Sequence, residues 1–415
     1  MCPAPLPTTP GASGPPTHRP ERAPPMPSTT PAATTRLAID GGAPVSETPI
    51  PMVAAGLDQT DIDAATEVLR SGMLRQGPRA KAFEERFASM TDAAHALTCA
   101  NGTCALQLAY EPLIQPGDEV IVPAWTYIAT ASMIVARGAT PVFCDADPRT
   151  YCIDVEDAAR RVTSRTSAIA ATHLYGNPVE IDAVQALAQQ NGLRVIYDAA
   201  QAHLARYKGR GLGAFGDAVT YSFYATKNIS TGEGGMVTTN NADLARSVGL
   251  LRSHGETGKY LHESIGFNYR MTDIEAAIGL SQLDRADAMT KQRRANAAAL
   301  DALVGTIDGL HAPTQTEGAE HVYHLYAVRM DRNAFACDRD EFVKALQAEG
   351  VQCAVHYPYP LTRQPAFAKW VEEHPPVSDA LAKSLFCVPV HQRLSGDQIN
   401  KIGEALAKVA DAKRA

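Results

Sequence analysis

No apolar stretch of this chain reaches the roughly 18 residues needed to cross a bilayer, and no basic segment followed by an apolar one opens it. It therefore reads as neither membrane-spanning nor secreted. It also lacks any surplus of basic charge: 38 Lys and Arg stand against 45 Asp and Glu, a net charge of −7. Without a global basic field the chain is a poor match for phosphate backbones or anionic lipid surfaces, which disfavours nucleic acid and membrane as partners. The eight cysteines are too scattered for a secreted disulfide framework, and Cys144 and Cys387 sit in strand-like apolar contexts. The expectation is a reducing, cytoplasmic home. No His-Glu-x-x-His and no paired Cys-x-x-Cys suggests a metal, no Gly-x-x-x-x-Gly-Lys-Ser/Thr loop is present, and Cys99 and Cys104 read as ordinary buried thiols.

What is present is a soluble, globular composition of 415 residues, 45% of them hydrophobic, enough for two or three domains. Proline is unevenly placed, with 11 of 28 before Thr35. Residues 1–36 have no periodic apolar pattern to offset their ordering entropy and read as a disordered Pro-rich tail, an appendage to the folded domains. Arg19 and Arg22 hint at a transit peptide, but the prolines forbid the amphipathic helix such peptides form. Residues 37–76 are an N-terminal segment expected to pack on the smaller domain. In it, Asp58 caps a helix carrying Ile62, Ala65 and Leu69 on one face, with Gly72 as its stop.

From 77 to 285 short β-rich runs (Glu119–Val122, Pro141–Cys144, Ala168–Thr172, Arg194–Tyr197, Ala218–Tyr224) alternate with helix-like stretches such as Ile181–Gln190. This is the grammar of an α/β domain with a mainly parallel sheet flanked by helices. Thr272–Leu303 reads as mostly helical and leads out of it. Residues 286–415 form a smaller α+β domain: Tyr323–Met330 is a strand, Asp338 with Glu341 is a capping box before Phe342, Gly350 ends that helix, and Ser395 with Gln398 is a second box.

Gly211-Leu-Gly213-Ala-Phe-Gly216 has the glycine spacing of a dinucleotide fingerprint, but a charged turn precedes it and a strand follows, so the context rejects it. A better cluster begins at Val195-Ile-Tyr-Asp198-Ala-Ala-Gln201-Ala-His203, where a buried strand runs out into an acid. Taken alone, Asp198 also reads as a helix cap or surface turn. Next comes Tyr221-Ser222-Phe-Tyr-Ala-Thr-Lys227, a lysine directly after a buried strand and before the loop Gly232-Glu-Gly-Gly235. Desolvation there lowers a lysine pKa and suits it to form a Schiff base, although a surface lysine fits the same spacing. A third segment, Cys99-Ala-Asn101-Gly102-Thr103-Cys104, is a Gly-Thr turn opening an apolar helix, whose free N–H groups make an anion site. Anion site, acid and imine-forming lysine together are what pyridoxal 5′-phosphate (PLP) requires.

With Val122-Pro-Ala-Trp-Thr126-Tyr127-Ile-Ala-Thr130, Asp145 with Tyr151-Cys-Ile-Asp154, His173-Leu-Tyr-Gly176 and Gly266-Phe-Asn268-Tyr-Arg-Met271, these motifs resemble the DegT-type nucleotide-sugar aminotransferases, from Leu37 almost to the C-terminus. The resemblance implies the aspartate-aminotransferase fold (PLP fold type I). Carried over by position, Lys227 would bind the cofactor and shuttle the proton, and Asp198 would keep its ring nitrogen protonated. Gln201 would sit near the ring's 3′-oxygen and Tyr127 would stack on it. Gly102, Thr103, Cys104 and Ser222 would hold the phosphate. Asn268 would complete that phosphate site in the neighbouring subunit of a homodimer. His203, His324, Tyr326, His356, Tyr357 and Arg363 are candidates for the substrate. Thr362 departs from the histidine that many relatives carry after the Pro-Leu pair. The implied reaction moves an amino group from L-glutamate or L-glutamine to a keto sugar or cyclitol. The rivals are a sugar dehydratase, which carries histidine in place of the lysine, a lyase or decarboxylase, and a regulatory protein that kept the fold.

Overall fold

The computed structural model describes residues 36–54 and 56–415, so the tail expected over 1–36 lies, but for Arg36, outside the described residues. Seven strands form one sheet: β1 (His95–Cys99), β2 (Glu119–Pro123), β3 (Thr140–Cys144), β4 (Thr166–Thr172), β5 (Arg194–Asp198), β6 (Ala218–Ser222) and β7 (Gly235–Thr239), in the order β1-β7-β6-β5-β4-β2-β3. Every position of β2 and β6 is buried, the signature of strands covered on both faces. Neighbours run parallel except around β7, which is antiparallel to both β6 and β1. The five strands expected from composition are all present. β1 and β7 were not anticipated, because β1 carries His95 and Thr98 and β7 grows directly out of a glycine-rich loop.

The carboxyl ends of the parallel strands collect at one edge, with Thr172, Asp198 and Ser222 as their last residues. Two helices start at the same edge, after α1 (Gln59–Ser71) and α2 (Pro78–Met90): α3 (Gly102–Leu113) and α4 (Ile128–Ala136). The run with dinucleotide-like glycines starts at the end of a small hairpin (Arg206–Tyr207 with Arg210–Gly211), makes one 3-10 turn over Leu212–Ala214 and leads into β6, so it opens no α-helix, as its context required.

Asp58 does cap α1, with Asp61 completing a capping box, and Gly72 ends it with a left-handed φ of 72°. The face expected to be buried is not: Ile62 and Leu69 are each 56% exposed, while Asp61 and Val68 point inward. The helix is turned by Arg285, whose Nη2 donates to Asp61 Oδ2 at 2.7 Å. The long helical stretch after Thr272 is two helices, α5 (Asp273–Leu283) and α6 (Ala286–Val304).

The last part carries a three-stranded antiparallel sheet of β8 (Leu310–His311), β9 (Tyr326–Met330) and β10 (Leu385–Val388), with β9 in the middle. The strand expected from Tyr323 starts at Tyr326, because Tyr323 takes a left-handed φ of 46°. Two helices, α7 (Arg339–Ala348) and α8 (Gly396–Ala412), begin with the expected capping boxes. Their core includes Val328, Phe342 and Leu406 together with Leu37 and Ile50 from the N-terminal segment.

Glu349 ties that segment down. Its fully buried carboxylate accepts from Ala38 N at 2.8 Å, Val45 N at 3.1 Å and Lys408 Nζ at 2.7 Å. Removing one partner of a buried pair strands the other charge, so Glu349→Ala should lower the unfolding free energy by about 3–5 kcal/mol. Urea denaturation of this variant checks it, and a loss under about 1 kcal/mol would show that the clasp contributes no more than a surface pair.

Candidate active site

The edge where the strands end opens into a cavity of about 910 Å³. On its floor Asp198 ends β5 and is 5% exposed. Its Oδ2 accepts from Thr130 Oγ1 at 2.7 Å, and its Oδ1 accepts from the amide of Ala200 at 3.0 Å. Burial raises its pKa above the usual carboxylate value, and the two hydrogen bonds and Lys227 oppose the rise. Thr130 belongs to a hydroxyl network, since Thr126 Oγ1 lies 3.3 Å from Thr130 Oγ1 and 2.9 Å from Thr172 Oγ1.

Lys227 follows β6 in a turn closed by its own amide, which donates to Tyr224 O at 2.8 Å. Its amine lines the cavity, and burial lowers its pKa to about 8, with Asp198 pulling the other way. A fraction of this lysine is therefore neutral, hence nucleophilic, near pH 7.

At one end of the cavity α3 presents its N-terminus. Asn101 Oδ1 caps the amide of Cys104 at 2.9 Å, and the amides of Gly102 and Thr103 have no partner among the described residues. The helix end is pressed against β6: a Cβ on Gly102 would fall 2.6 Å from Ser222 Cβ, so only glycine allows the approach. Uncapped amides, the hydroxyls of Thr103 and Ser222 and the helix dipole form a cradle for an anion. Apart from Lys227, no lysine or arginine lines the cavity among the described residues.

The far wall comes from the last part of the chain. Gln201 Nε2 donates to Tyr357 Oη at 3.1 Å, and Gln201 Oε1 accepts from the amide of Tyr175 at 2.7 Å. Tyr175 Oη in turn accepts from Trp125 Nε1 at 3.2 Å and donates to the carbonyl of His356. Burial lowers the pKa of both His324 and His356, with the Lys227 charge adding to the effect, so these imidazoles are neutral donors and acceptors.

Of the residues singled out by sequence, Gly102, Thr103, Cys104, Tyr127, Asp198, Gln201, Ser222, Lys227, His324, His356 and Tyr357 all line the cavity. Four do not. His203 is 1% exposed beneath the floor, wedged against Tyr221 and Phe223, and burial takes its pKa to about 3. Tyr326 is fully buried and its hydroxyl donates to Asp301 Oδ1 at 2.6 Å. Arg363 faces away and pairs with Asp379, Nε to Oδ1 at 3.0 Å. Asn268 sits at an isolated bridge to Ser253, and its neighbour Tyr269 reaches the cavity instead, donating to Gln107 Oε1 at 2.9 Å. Cys99 is buried as expected, whereas Cys104 is half-buried and faces the cavity. Thr130, Thr172 and Tyr175 were given no role, although Thr130 and Tyr175 lie in the motifs that carry the resemblance. Thr126 precedes α4 and Thr130 lies in its first turn, so their contact is set by how the chain enters the helix and had no helical-spacing signal in the sequence.

These residues fit PLP: a cradle of free amides for its phosphate, a buried acid for its ring nitrogen and a desolvated amine for its aldehyde. Residues 56–407 match the model of the DegT/DnrJ/EryC1/StrS aminotransferase family. A UDP-N-acetyl-3-dehydro-alpha-D-glucosamine 3-aminotransferase of Acidithiobacillus ferrooxidans is 37% identical, covering 87% of this chain and 98% of that protein. A pleiotropic regulatory protein of Geobacillus stearothermophilus is 38% identical, covering 82% of this chain and 92% of that one. Among solved structures, DesV of Streptomyces venezuelae in complex with a ketimine intermediate superposes with a TM-score of 0.84 at 34% identity, covering 88% of this chain and 99% of that one. The chain belongs to the DegT/DnrJ/EryC1/StrS aminotransferase family of PLP-dependent enzymes.

Proposed function

We propose that this enzyme moves the amino group of L-glutamate or L-glutamine onto a ketone of a nucleotide-linked sugar in a biosynthetic pathway. The observation that carries the reading is the convergence of Lys227, Asp198 and the free amides of α3 on one cavity. The sugar nucleotide named for the Acidithiobacillus relative supports the acceptor class.

Bound PLP supplies an electron sink for the carbon that loses its proton. Gly102, Thr103, Cys104 and Ser222 would hold its phosphate, and Asp198 would hold the proton on its ring nitrogen. Tyr127 and Gln201 would fix the ring. Lys227 Nζ would bind the aldehyde and, once released, take the proton from the amino-bearing carbon of the donor. The same amine would return a proton to the carbon that becomes aminated. Its lowered pKa suits both tasks near pH 7, because neither form is strongly preferred there. His324, His356 and Tyr357 would offer hydrogen bonds to the sugar from the far wall, while His203, Tyr326 and Arg363 are withdrawn from that role. The presence of Lys227 speaks against a dehydratase, and the intact cluster speaks against a purely regulatory protein.

A homodimer completes the reading. Among the described residues no cationic side chain besides Lys227 lines the cavity that holds the cradle, and Asn268 stands beside an exposed stretch in which Tyr260, Leu261 and Ile265 are 83%, 64% and 91% exposed. We propose that this stretch packs on a second copy and that Asn268 enters the partner's phosphate site. The described cysteines are free thiols, which suits a reducing, cytoplasmic compartment.

The holoenzyme should absorb in the visible, and adding glutamate or glutamine should bleach that band. Lys227→Ala should lose both band and turnover while keeping its circular dichroism. An unchanged spectrum with every amino donor would sink the aminotransferase reading. The pKa of about 8 gives a second expected outcome. Burial makes Lys227 lose its proton at lower pH than a free lysine, so its labelling in apoprotein by an amine-selective reagent, read by peptide mass spectrometry, should rise through pH 8. Exposed lysines should rise near 10.5, and a Lys227 that tracks them contradicts the desolvation.

A further inference from the structure

A second cavity, about 350 Å³, lies between the loop after β3 and the small sheet, with Pro148, Arg149, Tyr151, His311, Thr314 and Arg329 in its wall. Arg329 stands on β9, opposite His311 of β8 and Leu385 of β10. Its guanidinium has no carboxylate within salt-bridge distance among the described residues, although it is only partly exposed. Tyr151 is 3% exposed and takes a left-handed φ of 63°, a conformation uncommon for an aromatic residue, and Arg329 lies beside its phenol. Arg149 is the second guanidinium.

Of the acids nearby, Asp147 offsets part of the Arg149 charge through a long ion pair, and none pairs with Arg329 among the described residues. Asp147 Oδ2 lies 3.6 Å from Arg149 Nη2, and Asp147 Oδ1 is already taken by the amides of Arg149 and Thr150, each at 2.8 Å. Burial and then the Arg329 charge lower the pKa of His311, only partly opposed by Asp331, which does not line the cavity. No carboxylate is in the wall among the described residues. Two guanidiniums, an imidazole and a phenol around a concave space give forked N–H donors and positive charge, the chemistry that recognises phosphate.

We infer that this cavity binds a phosphate dianion, free or as a small ester, between Arg329 and Arg149, with His311 and Tyr151 as further donors. The volume exceeds what phosphate alone fills and falls in the range of small-molecule sites. The site is separate from the active site yet close in contacts. The Tyr151 ring packs edge-on against Tyr175 at 6.2 Å, and Tyr175 holds Gln201 through its amide.

The test is calorimetric titration of holoenzyme with inorganic phosphate and with ribose 5-phosphate, for the wild type, Arg329→Met and Arg149→Met. The wild type should bind at least one of them saturably, with Kd at or below about 1 mM. Arg329→Met should weaken that binding by about tenfold or more, and Arg149→Met by several-fold. Tighter binding of the ester would assign the cavity to esters, and equal binding would assign it to the ion itself. Should Arg329→Met fail to fold, Arg149→Met decides, since its side chain is 70% exposed. Affinity unchanged in Arg149→Met and in a folded Arg329→Met, or no saturable binding by the wild type, overturns the inference.

Discussion

Everything at the carboxyl edge of the sheet depends on keeping one carboxylate, that of Asp198, out of water. A buried acid costs free energy unless its oxygens are engaged, and each oxygen of Asp198 has its partner, Thr130 on one and the Ala200 amide on the other. The first contact fixes where α4 starts and the second fixes the turn after β5. The same desolvation acts on Lys227 with opposite sign, lifting the acid and lowering the amine, while their attraction opposes both shifts. A pair prepared in this way favours a bound group that brings a proton to the acid and an electrophile to the amine.

The anion is handled by different means from those used on the acid. The cradle relies on backbone amides and hydroxyls, whose dipoles are fixed in place by α3 and by the close approach at Gly102. Lys227 therefore supplies the only lysine or arginine nitrogen at the cavity among the described residues, and no second ammonium competes for the acid. The overall negative charge of the chain is no obstacle, because local dipoles and not net charge set the potential at that helix end.

Much of the fold was legible because its strands are short, apolar and punctuated by turn residues, and because Asp338, Ser395 and Asp58 sit where caps must. Within the site, Asp198, Lys227 and the Gly102–Cys104 turn were readable as strand ends and a helix start. What failed were statements about direction. His203 comes two residues after Gln201, yet it points beneath the floor into aromatic rings. Tyr326 and Arg363 belong to segments near the cavity but find partners in Asp301 and Asp379. Residue spacing cannot report such pairings, since each partner is set by tertiary packing. Ile62 and Leu69 show the same limit: an apolar stripe was visible, but Arg285 holds Asp61 and turns that stripe outward.

The central claim is that Lys227 is the amine which bonds the cofactor. Borohydride reduction of the holoenzyme would freeze that bond, and peptide mapping by mass spectrometry would locate it. The account predicts a single reduced pyridoxyl adduct, on Lys227. An adduct on any other lysine, or none with the cofactor demonstrably bound, would contradict it.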